Sequence, residues 1–149
     1  MVPIAKRILV PTDFSEGADD ALAYALTLAD QVGATVHLVH VFEDPDAVAL
    51  YSHAYVPMPA DMRSDILTNI HRELSVRAAT GPREVTSEVL IGSPAKTIVD
   101  TASHNHFDLI VMGTHGRHGV ARLLLGSVAD RVIRTATCPV LVVPHRRVN

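Results

Sequence analysis

Short runs of β-branched and leucine-rich residues alternate along this chain with longer segments whose apolar residues recur every three or four positions. No other feature restricts the possible folds as much. "KRILVPTD" reads as a buried strand ending at Pro11. Ser15 then takes an N-cap position, with Glu16, Asp19 and Asp20 in the first turn, where the helix dipole favours anions. Ala18, Ala21, Leu22, Ala25, Leu28, Ala29 and Val32 continue at helical spacing, and Gly33 ends the helix as a C-cap glycine. A second strand is expected over 34–42. Residues 43–59, with prolines at 45, 57 and 59, carry no periodicity, and irregular insertions of this length are as a rule functional or mobile. Helical spacing returns over 60–79, with Met62, Ile66, Ile70 and Leu74 four apart, until Gly81-Pro82 breaks it. "EVTSEVLIG" is a third strand, Ser93-Pro94 opens a helix to about 103, and "FDLIVMG" is a fourth strand. A last helix over 127–136 and the strand "CPVLVVP" complete the series.

Apolar strands alternating with amphipathic helices predict an α/β fold with a parallel sheet covered on both faces. Right-handed crossovers make it a doubly wound three-layer sandwich, with residues 1–149 as one domain. Ligands of such folds bind at the carboxyl ends of the strands, where strand order reverses. A formal charge of −3 gives no field for nucleic acid, and 4% aromatics without Trp offer no stacking platform for bases. The single cysteine, Cys138, excludes an intrachain disulfide and a cysteine zinc cluster. Lys6 and Arg7 interrupt the first apolar residues, so no signal peptide is read there, and no run approaches a membrane span. A cytoplasmic, non-membrane protein is the expectation.

The stretch "GTHGRHGVARLLLGSVADRV", from Gly113 to Val132, poses the functional question. Gly126-Ser127 at a helix start offers backbone N–H groups and a hydroxyl, which suit phosphate. Arg117 can add charge-assisted contacts, and His115 and His118 further donors. In the plainer reading Ser127 only caps its helix and the glycines only permit turns. Neither a P-loop nor a dinucleotide-binding glycine pattern is present. Asp13 divides the same way, as a ligand for hydroxyl groups or as a turn residue bonding its own backbone. His37 and His40, three apart on one strand, face opposite sides and make no metal pair. No phospho-acceptor aspartate ends the third strand, and no G-x-S-x-G elbow exists.

G-x2-G-x9-G-[ST] after the fourth strand, followed by "LLLGSVADRV" and "CPVLVVP", resembles the universal stress protein family. "KRILVPTDFSEGADDALAYALTLA" and "LIGSPAKTIVDTA" resemble it too, so the likeness spans the chain apart from about 43–60. The resemblance implies a five-stranded sheet in the order 3-2-1-4-5, which sets the first and fourth strands side by side. It implies ATP as ligand, with Mg²⁺, because members carrying the full glycine motif bind it and those lacking it generally do not. Site residues implied are Pro11, Thr12, Asp13, Val41, Met112, Gly113, Gly116, Gly126, Ser127 and Val128, and Thr114, His115 and Arg117 of the same loop join them as candidates. Val41 and Asp13 would lie around the adenosine, Met112 and Gly113 beside the ribose, and Gly116, Gly126, Ser127 and Val128 at the phosphates. The apolar last strand, Pro139 to Val143, is an edge that risks aggregation unless it pairs, and family members commonly dimerise through it. A homodimeric nucleotide-responsive module is the leading expectation. Its alternatives are a slow ATP hydrolase, for which no general base stands out, and a scaffold that makes no use of nucleotide.

Overall fold

The structure is a computed structural model that describes residues 4–48, 56–114 and 125–145. Its strands are β1 (Arg7–Pro11), β2 (Thr35–Phe42), β3 (Val85–Ile91), β4 (Leu109–Gly113) and β5 (Val140–Val143). They form one sheet in the order β3-β2-β1-β4-β5 with every pairing parallel, as expected of a doubly wound fold. The helices are α1 (Glu16–Val32), α2 (Pro45–Val48), α3 (Ala60–Ala78), α4 (Pro94–His104) and α5 (Ser127–Thr135).

Successive residues of a strand point to opposite faces, so the inner strands feed two cores. Ile8, Val10, Val36, Leu38 and Val111 pack with α1 and α3. Leu9, Val39, Ile110 and Met112 pack on the other face with Ala95 and Ile98 of α4 and with Ala129 and Val132 of α5. Each fully buried aliphatic side chain contributes about 1.5–3 kcal/mol. Uninterrupted apolarity from Ile8 to Val10 and in "LIVMG" thus reflects strands buried on both sides.

Helix ends follow local chemistry. Ser15 is the α1 N-cap, with its Oγ accepting from the Ala18 N–H at 3.2 Å. Gly33 closes α1 in left-handed backbone (φ 73°), its N–H bonded to the Ala29 carbonyl. Two expectations need correction. Residues 43–59 are not irregular throughout, because α2 forms at 45–48, with Asp44 Oδ1 accepting from the Asp46 N–H (3.0 Å) and Pro45 as the first helical residue. The N-cap of α5 is Gly126, so Ser127 is already helical and cannot be the cap. Among the described residues, no helix is long and apolar enough to cross a membrane.

Candidate functional site

β1 lies between β2 and β4, so the chain reverses its winding there and leaves a crevice at the carboxyl ends of those strands. Pro11, Thr12 and Asp13 leave β1 at this edge. The Thr12 N–H continues the ladder to the Val39 carbonyl (2.8 Å), after which the backbone turns away. Thr12 is buried, and its hydroxyl accepts from the Phe14 N–H at 3.0 Å. Asp13 Oδ1 accepts from the Ser15 N–H, also at 3.0 Å, and from the Ser15 hydroxyl. The turn reading of Asp13 is therefore what the geometry displays for Oδ1. Oδ2 has no hydrogen bond among the described residues and remains an acceptor for a ligand hydroxyl.

Other elements hold this turn. The His40 Nδ1–H of β2 donates to the Thr12 carbonyl (2.7 Å), and the ring stacks on Phe14. Arg77 of α3 donates through Nη2 to the Phe14 carbonyl at 3.2 Å. It also engages Asp19 and Glu73, and the bond to Asp19 holds the guanidinium charged beyond its ordinary range, against the opposing effect of burial. Phe14 has φ 65°, a left-handed conformation that costs a bulky residue roughly 1–2 kcal/mol. Sequence reasoning missed Phe14 and Arg77 and treated His40 only as a metal candidate. The expectation that His37 and His40 face opposite sides holds, since His37 stacks on Phe107 of the α4 core.

Val41 is half-buried near the end of β2. The Val39 carbonyl accepts from Thr12 on the β1 side, whereas the Phe42 carbonyl accepts from Gly92 on the β3 side (3.1 Å). Backbone groups alternate sides along a strand paired on both edges, so the N–H and C=O of Val41 face the β1 side. They lie past the last β1–β2 pair, Pro11 with Val39. Such a backbone edge offers one donor and one acceptor to a planar heterocycle.

Across the crevice, β4 ends at Gly113, whose backbone packs on Gly17 of α1. The Met112 side chain is buried in the α4–α5 core, so only its backbone borders the crevice. The Thr114 carbonyl accepts from the Gly126 N–H at 2.6 Å, tying the end of β4 to the start of α5. That bond consumes the Gly126 N–H, which was expected to be available. Gly126 carries no side chain to cap α5, and the helix has no side-chain cap. Among the described residues, the N–H groups of Ser127, Val128 and Ala129 are thus left without an intrahelical acceptor or a capping oxygen, in the arrangement that binds anions. The contrast with α1, capped by Ser15, is direct. His115, Gly116 and Arg117 lie outside the described residues.

Beyond Val41, Arg63 of α3 forms a bidentate pair with Asp44 (2.8 and 2.7 Å) and reaches Asp46 at 3.6 Å. The hydrogen bond from Arg63 draws the Asp44 carboxyl below its usual range. Asp46 Oδ1 also accepts from the Met58 N–H, which brings Met58 to the same cluster.

A sequence model of the universal stress protein family matches residues 5–144. Universal stress protein MJ0531 of Methanocaldococcus jannaschii is 36% identical over 138 residues, covering 93% of this chain and 81% of that protein. A universal stress protein of Thermus aquaticus is 36% identical over 143 residues, covering 93% and 98%. Among solved structures, MJ0577 of M. jannaschii superimposes with a TM-score of 0.81 at 27% identity, over 98% of this chain and 100% of that one.

Proposed function

The chain belongs to the universal stress protein family, and we propose that it is an ATP-binding member acting as a nucleotide-responsive signalling module. One observation carries the proposal. The uncapped start of α5 stands at the edge of the sheet where the Asp13 turn and the Val41 backbone also stand, across the reversal of strand order. A nucleotide has an anionic end, a diol and a planar base, and these features offer a partner for each.

In this reading the N–H groups of Ser127, Val128 and Ala129 receive phosphate oxygens, with the Ser127 hydroxyl beside them. Asp13 Oδ2 accepts from a ribose hydroxyl, and the Val41 backbone meets the adenine edge. Gly116 is assigned to the phosphates on the family motif alone, and Arg117 on its charge. Mg²⁺, when bound with the nucleotide, neutralises phosphate charge. Hydrolysis needs a base directed at water, and the nearby carboxylate, Asp13, is committed to its own turn through Oδ1. A binding module fits this better than an enzyme, and the cytoplasm is its assigned place. β5 is an edge strand whose residues are all half-buried, and we assign it to pairing with β5 of a second copy.

Calorimetric titration of purified, nucleotide-free protein with ATP and Mg²⁺ tests the proposal. Saturable binding with negligible phosphate release is expected; absence of heat or saturation would sink it. Sedimentation of the parent and of Val142→Lys tests the dimer, which the substitution should dissociate.

A further inference from the structure

The two carbonyls on either side of Asp13 are each grasped by a side chain from another element. His40 of β2 takes the Thr12 carbonyl (2.7 Å), and Arg77 of α3 takes the Phe14 carbonyl (3.2 Å). Between these grips lies Phe14, in left-handed backbone with φ 65°. Its ring is stacked with the His40 imidazole at 4.5 Å and 23°, and the Arg77 guanidinium is 5.0 Å from its centroid. An aromatic side chain opposes this backbone conformation, so surrounding contacts must hold it there. The stack supplies such contacts, and its members come from three elements that converge only in the fold.

We infer that His40, Phe14 and Arg77 are positioning residues. Without touching ligand, they hold the Asp13 turn so that its carboxylate stays bonded to Ser15 through Oδ1 and presents Oδ2 as an acceptor. The ligand group this suits is a hydroxyl donor, and its identity as ribose rests on the nucleotide reading above. The turn itself does not depend on that reading.

Phe14→Gly suits left-handed backbone but removes the ring, whereas Phe14→Tyr retains the ring. If backbone conformation alone mattered, glycine would be harmless; if the stack matters, glycine loosens the turn and tyrosine does not. Amide hydrogen exchange of ligand-free protein reads this directly at Phe14 and Ser15, whose N–H groups bond Thr12 Oγ1 and Asp13 Oδ1. Phe14→Gly should speed both by about tenfold and weaken ATP binding by about tenfold, the scale of one aromatic or cation contact. Exchange at Ala34, bonded to Ala29 at the far end of α1, should not change. Phe14→Tyr should leave all of these near the parent. Unchanged exchange at Ser15 in Phe14→Gly overturns the inference, as does faster exchange with unchanged affinity. Should Phe14→Gly lose protection at Ala34 as well, Arg77→Lys decides on the same readouts, since it keeps the charge and loses the planar fork. A parent that binds no ATP refutes the nucleotide reading alone, and the exchange comparison still decides whether the stack holds the turn.

Discussion

Gly113 and Gly17 meet backbone to backbone: a Cβ on Gly113 would lie 3.0 Å from the Gly17 carbonyl oxygen and 3.1 Å from its carbon. Neither atom can rotate aside as a side chain would. Gly113→Ala should therefore destabilise the ligand-free protein by about 1–3 kcal/mol, the usual cost of overpacking. Urea unfolding without nucleotide measures it, and an unchanged midpoint would mean that β4 and α1 yield easily.

Gly126 should behave differently. At φ −60° and ψ 155° its backbone is open to any residue, so Gly126→Val requires no left-handed strain. Unfolding should shift by about 0.5 kcal/mol or less, while ATP binding is lost as the side chain crowds the start of α5. A stable variant with parental affinity would remove this helix end from the site.

Asp13 has separable duties. Asp13→Asn retains an oxygen to accept from Ser15 but loses the charge, whereas Asp13→Ala loses both. Asparagine should leave thermal stability near the parent and weaken ATP binding about tenfold, as expected for a lost charged acceptor. Alanine should also lower the melting temperature. Equal affinity for the parent and Asp13→Asn would transfer the ribose contact to another group.

The Asp44–Arg63 pair predicts a pH dependence of defined sign. Folding lowers the Asp44 pKa, chiefly through the hydrogen bond from Arg63. Its contribution is then fully present above the unfolded value of about 3.9 and is lost as pH falls through the lower folded value. Carbon-detected titration of the Asp44 carboxyl should show a midpoint below that value, and Arg63→Gln should move it back up. A parent midpoint at or above the unfolded value would contradict the pairing.

Local rules made most of the framework legible before any coordinates. Ser15 and Gly33 delimit α1 as their chemistry requires, and the double-sided apolarity of "RILVP" and "LIVMG" marks the central strands. The Asp44-Pro45 start of α2 was readable by the logic applied at Ser93-Pro94, but three nearby prolines drew the segment toward an irregular reading. Other features depend on distant partners. Nothing near position 113 tells that Gly113 must clear Gly17, a packing demand for glycine that holds whether or not a ligand lies beside it. Arg77 reaches the Phe14 carbonyl across 63 residues, and the sign of φ at Phe14 has no local cue. At the start of α5 the motif points to a helix end where Gly126 rather than Ser127 occupies the cap and the Gly126 N–H is already spent on Thr114, a bond that no local pattern announces.

That bond from Gly126 to Thr114 is a clasp of main-chain atoms, joining the carboxyl end of β4 to the amino end of α5. No side chain takes part in it. Sequence drift at positions 114 and 126 can therefore change what the joint displays without unmaking it, and proline at position 126, which lacks the N–H, is the substitution that unfastens it.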